Sequence, residues 1–184
     1  MKIFWLAFLV AAIPLAAQKP QQVAARTEIS EVQAQHQQVT VARASIQNVE
    51  KKTDARLTAD PFDLMGNTRG MYLPDIGVVL TSEVALVHVT GLSPFHMTIS
   101  PEEKVSAHKR KLEALPKLKE AMKAALVAAA AELGAVPINE KVILGVNLFY
   151  WNWEDRSGLP SQIVMQATRG QLAGHPEAIQ VQEY

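Results

Sequence analysis

The sequence predicts a two-layer α+β domain, a long helix packed on one face of a small mixed sheet, on three observations. A capped helical segment begins at Ser100, a β-branched run precedes it, and two further strand-like runs after it are separated by a short polar turn. The order strand, helix, strand, strand implies the helix packed on one face of a small mixed sheet, with the last two strands forming a hairpin.

The helix has the clearest start. In S-P-E-E, Ser100 suits an N-cap, Pro101 the first helical position, and Glu103 completes a capping box. Val105, His108, Leu112, Leu115, Leu118, Met122, Leu126, Ala129 and Leu133 recur at three- and four-residue steps and define one apolar stripe. Pro116 is expected to interrupt and kink the helix, because it lacks the N–H that would reach the carbonyl of Leu112. Gly134 and Pro137 stop it. His108 reads as a core-edge residue within the stripe.

Upstream, GVVLTSEVALVHV, Gly77 to Val89, reads as a long strand with Val78, Leu80, Val84 and Leu86 on one face and a more mixed opposite face. Downstream, KVILGVNLFYWNW, Lys141 to Trp153, is the second strand and SQIVMQAT, Ser161 to Thr168, the third. Arg169 to Ala173 suits a helical turn. The segment from Asp60 to Gly77, with two Pro and three Gly, is expected to be an ordered loop with several turns.

These elements give boundaries of 1–17 for a signal peptide, 18–60 for a Gln- and Ala-rich, partly helical extension, 61–174 for the α+β domain and 175–184 for a loosely held tail. In the extension a helix over Glu28 to Arg56 is indicated by Ile29, Val32, His36, Val39, Arg43 and Ile46 at alternating steps. The leader MKIFWLAFLVAAIPLAA carries one Lys and an apolar run that ends in small residues, the layout of a cleaved secretory signal. That run is shorter than the roughly 20 residues of a membrane-spanning helix, so no transmembrane segment is expected after cleavage. The expected location is periplasmic or secreted.

The chain contains no cysteine, which excludes disulfides, thiolate nucleophiles and thiolate metal sites. Loss of Lys2 with the leader leaves 17 Lys and Arg against 18 Asp and Glu, a net charge of −1 with His neutral. That balance gives no basis for nucleic acid as a partner.

The stretch LFYWNWEDRSGLP, Leu148 to Pro160, concentrates aromatic residues before a run of turn-formers. With a side-chain period of two, Val142, Leu144, Val146, Leu148 and Tyr150 face the helix while Phe149, Trp151 and Trp153 face the other way. The N-terminal extension or the Asp60 to Gly77 segment is expected to cover these rings. Alternatively they form a stacking surface for a protein or glycan partner in the envelope, or an edge for self-association.

Signals for chemistry are sparse. Glu154, Asp155 and Arg156 read as a solvated turn rather than a catalytic pair. Glu83, His88 and His96 lack the spacing of a metal site, so no metal or other cofactor is expected. Neither Ser82 nor Ser161 lies in a G-x-S-x-G context. Arg69 in NTRG could pair with an anion, although its Gly and Asn neighbours read first as a turn. The resulting expectation is an exported, non-catalytic binding or structural module of the bacterial envelope, with ligand contacts at Phe149, Trp151, Trp153 and Arg69. The alternative is a small periplasmic hydrolase whose catalytic set is dispersed along the chain.

Overall fold

The computed structural model describes residues 19–89 and 98–184. The expected signal peptide, Met1 to Ala17, and His96 lie outside the described residues. The chain divides into two units, Met1–His36 and Gln37–Tyr184. In the first, residues 19–36 are helical. The second is an α+β domain, as expected, built on a five-stranded mixed sheet.

In chain order the elements are α1 (Lys19–Leu57), β1 (Asp63–Leu73), β2 (Gly77–Ala85), α2 (Pro101–Glu132), β3 (Lys141–Leu148), β4 (Gln162–Thr168), α3 (Arg169–Gly174) and β5 (Gln180–Glu183). The strands lie side by side in sequence order. β2 and β3 are parallel and joined through α2, while the other three pairings are antiparallel. A parallel pair needs a long crossover, and α2 supplies it.

One sheet face carries the core. Val78, Leu80 and Val84 of β2, Val142, Leu144, Val146 and Leu148 of β3, and Ile163 and Met165 of β4 are buried in one cluster with residues of both α1 and α2. The opposite face exposes Arg69, Met71, Thr81, Glu83 and Asn147. The core face therefore follows the alternation of the sequence, with Tyr150 continuing it past the end of β3.

Three expectations need correction. The segment from Asp60 to Gly77 is not a loop, since most of it is β1, paired with β2 from Asp63 to Leu73. Register shifts on either side of Gly66, between Leu64 and Gly66 and between Gly66 and Arg69, absorb the extra residues as irregularities in the strand. Gly70 marks a close approach, because a Cβ there would stand 2.5 Å from Cγ2 of Ile46 on α1. The C-terminal tail is not loosely held, because β5 extends the sheet beside β4 and the Tyr184 carbonyl accepts from the N–H groups of Ser161 and Gln162. Pro116 does not interrupt α2: the helix runs through it with the ring exposed, so the missing hydrogen bond falls on the solvent side.

The faces of the two long helices also shift. On α1 the buried side chains are Ala42, Ile46, Val49, Thr53 and Leu57, so Val39 and Arg43 of the expected stripe are exposed. On α2 the buried positions are Ala107, Lys111, Ala114, Leu115, Leu118, Met122, Ala125, Leu126, Ala129 and Ala130. Val105 is 70% exposed and Leu112 41% exposed. In its first half the buried face of α2 thus passes through Lys111 rather than through the neighbouring leucine.

α1 also closes the edge of the sheet. Glu50 Oε1 accepts the Gly70 N–H at 2.7 Å and Asp54 Oδ1 accepts the Thr68 N–H at 2.7 Å. These alternate N–H groups of β1 would otherwise be open to another strand, and two carboxylates one helical turn apart satisfy both.

Candidate functional site

The site forms where the chain leaves the carboxyl ends of the parallel strands. The Phe149 N–H donates to the Val84 carbonyl at 2.9 Å, the last sheet contact after β3. A tight turn follows in which the Glu154 N–H donates to the Trp151 carbonyl at 3.1 Å and Glu154 Oε2 accepts the Trp151 N–H at 3.2 Å. This reciprocal pair directs the Glu154 side chain back towards α2, where Lys111 Nζ meets Oε2 at 2.5 Å.

Glu154 is therefore not part of a solvated turn. Its side chain and that of Lys111 are each 2% exposed, which makes them a buried ion pair. A charge taken out of water is stable only with a hydrogen-bonded partner, so each of these residues requires the other. Burial pulls the Lys111 ammonium below its ordinary value, and the Glu154 carboxylate opposes that pull. The ammonium also lies 4.8 Å from the centre of the Tyr150 ring, with the Arg156 guanidinium at 5.3 Å. Tyr150 donates its hydroxyl to the Pro160 carbonyl at 2.7 Å. Burial, with Glu154 adding to it, pushes that phenol up to about 12.

Glu154 Oε1 is buried and has no hydrogen-bond partner among the described residues. An unsatisfied buried acceptor of this kind costs about 1–3 kcal/mol, more when it is charged.

Above the pair lies a cleft of about 320 Å³. Lys111 and Glu154 form part of its lining, Phe149 and Trp151 one wall, and Leu64 and Met65 of β1 contribute apolar surface. The two rings meet edge to face, with centroids 5.1 Å apart and planes at 85°. Asp63 and His88 also line it, Oδ2 to Nδ1 at 2.7 Å, with His88 mostly exposed.

The segment from Asp60 to Gly77 was expected as a cover for the aromatic stretch; instead its Asp63, Leu64 and Met65 line a cleft together with Phe149 and Trp151, and Trp151 stays 39% exposed. Trp153 does not share that wall. The strand ends at Leu148 and the alternation persists only to Trp151, where the turn to Glu154 begins, so Trp153 instead lines a recess with Glu102, Ser106 and Arg110 of α2. Arg69 is exposed on β1 and does not line the cleft. Asp155, next to Glu154, is exposed, and hydrogen bonds from the Ser157 hydroxyl and N–H hold its carboxyl below the usual range. Ser82 is buried on the core face, its hydroxyl 2.8 Å from that of Thr68.

Among the described residues, no group of three or more His, Asp or Glu could hold a metal ion, and no helix is long and apolar enough to cross a membrane. Lys111 and Glu154 were missed as site residues because each looks ordinary in its own segment. The available signal was helical phase: Lys111 falls at a three- or four-residue step between Ala107 and Ala114 and so on the buried side. No protein-family model matches the chain, and no curated protein or solved structure matches it either.

Proposed function

We propose that the chain is an exported, non-catalytic module of the bacterial envelope, periplasmic or secreted, that binds a protein or glycan partner in the cleft beyond β2 and β3. The observation that supports this most is the edge-to-face pair of Phe149 and Trp151 on the wall of an open cleft, with Trp151 39% exposed. Aromatic side chains of this kind supply contact area at little entropic cost and dominate many binding surfaces. A cleft past the carboxyl ends of parallel strands is also where open α/β sheets place their ligands. Export is supported by the leader Met1 to Ala17.

The binding reading is tested by immobilising the mature protein and its Trp151→Ala variant and comparing retention of peptidoglycan fragments and envelope proteins. The expected result is retention by the wild type that the variant loses while its unfolding transition stays near that of the wild type. Equal retention by both contradicts the reading. Export is tested by mass spectrometry of the native protein, which should give an N-terminus close to Gln18. An intact Met1 would contradict it.

A small periplasmic hydrolase is the second reading, and the Asp63–His88 pair at the cleft supports it. A carboxylate-oriented imidazole can serve as a general base towards water. In that case His88→Ala should abolish turnover of a cleft-bound ester or amide and leave its binding intact.

A further inference from the structure

We infer that the cleft recognises a primary ammonium group carried on an apolar body, with Glu154 as its acceptor; this rests on the reading of the cleft as a binding site. Glu154 is a buried carboxylate with one oxygen committed and the other open. Oε2 takes both the Lys111 ammonium and the Trp151 N–H, while Oε1 has no donor among the described residues. A carboxylate accepts about four hydrogen bonds, so Lys111 and the Trp151 N–H leave capacity for a further donor at Oε1. Burial makes that donor more valuable than it would be in water.

Two further features select its chemistry. The formal charges that line the cleft are Asp63 and Glu154 against Lys111, a net negative charge with the imidazole counted as neutral, so an anionic ligand is repelled. Phe149 and Trp151 offer π-systems, which attract a cation and give a neutral hydroxyl no comparable contact. Hydroxyl and ammonium can both donate to Oε1, but only ammonium also gains from the charge and the rings. Oε1 itself has almost no accessible surface, so binding there requires the cleft lining to shift. Trp151, which lines the same cleft, is placed to report it.

The test compares three probes with the same apolar body, benzylammonium, benzyl alcohol and benzoate, titrated into the full chain. The readout is the Trp151 indole N–H resonance, assigned with a Trp151→Phe variant. Benzylammonium is expected to bind with a Kd of about 1–10 mM, typical of so small a ligand, at least about tenfold tighter than the alcohol, with benzoate weakest. Glu154→Gln should weaken benzylammonium by about tenfold or more. If that variant fails to fold because Lys111 loses its partner, the wild-type ranking decides alone. Equal binding of all three probes overturns the ammonium preference and leaves the cleft standing as a binding site. Absence of any shift with benzylammonium also overturns the inference, while the binding reading is then judged by the Trp151→Ala retention experiment.

Discussion

The two ends of β3 each carry a buried glutamate, and they differ in what surrounds it. At the amino end, Glu140 Oε1 accepts from the Tyr72 hydroxyl at 3.0 Å and from the Asp75 N–H at 3.2 Å. Both donors are neutral, one at the end of β1 and one in the β1–β2 turn, so Glu140 ties that hairpin end to the start of β3. At the carboxyl end, Glu154 is held by a cation from α2 and lines an open cleft beside two aromatic rings. Each glutamate has one oxygen without a partner among the described residues. The difference shows that a buried carboxylate alone does not mark a site. The cleft, the rings and the buried ammonium separate a candidate binding group from a structural latch.

That contrast predicts unequal costs. Lys111→Ala or Glu154→Ala should each destabilise the protein by about 3–5 kcal/mol in a denaturant titration, because the remaining charge is buried without its partner. Glu140→Ala should cost less, about 1–3 kcal/mol, since only neutral donors lose an acceptor. A larger loss at Glu140 than at Glu154 would reverse the comparison.

Each end also has a phenol whose value burial raises from 10.0 to about 12: Tyr72, with Glu140 adding to the shift, and Tyr150, with Glu154 adding. A raised phenol keeps its proton in the folded state while the unfolded chain releases it. The associated stability is therefore complete below pH 10 and is lost as the pH rises from about 10 to about 12. Tyr150→Phe and Tyr72→Phe should each flatten the alkaline fall by up to about 2–3 kcal/mol, measured as unfolding free energy across that window. Lys111 has the opposite sign, because its lowered value makes stability rise with pH towards its ordinary value of 10.5. Comparing each variant with wild type isolates the phenol. An unchanged alkaline slope in Tyr150→Phe would mean that this ring is not buried beside Glu154.

The smallest effect is expected at the cleft wall itself. Trp151→Ala should cost no more than about 1 kcal/mol, since the ring is partly exposed and loses chiefly its contact with Phe149. A loss of about 3–5 kcal/mol would make Trp151 core cover and remove the platform.

How much could be read in the sequence follows from how local each signal was. The start of α2 was legible because Ser100, Pro101 and Glu103 act within one turn, and both halves of the capping box are present. The β3–β4 hairpin and α3 were legible for the same reason. β1 was hidden because Gly66, Asn67 and Gly70 read as turn chemistry, whereas Gly70 is small to admit Ile46 from a distant helix. β5 was hidden because its residues are polar and exposed, and only pairing with β4 makes it a strand. At the site, Phe149 and Trp151 were legible from composition. The Lys111–Glu154 pair was not, because its two halves lie 43 residues apart and neither looks buried alone.

The most direct test of the buried pair as the anchor of the cleft is a double-mutant cycle with Lys111→Met and Glu154→Leu. The single variants should each lose about 3–5 kcal/mol, and the double variant should return to within about 1 kcal/mol of wild type, since removing both charges together leaves neither unpaired. Single variants that each lose less than about 0.5 kcal/mol and simply add in the double would place Glu154 in a solvated turn and contradict the site as described.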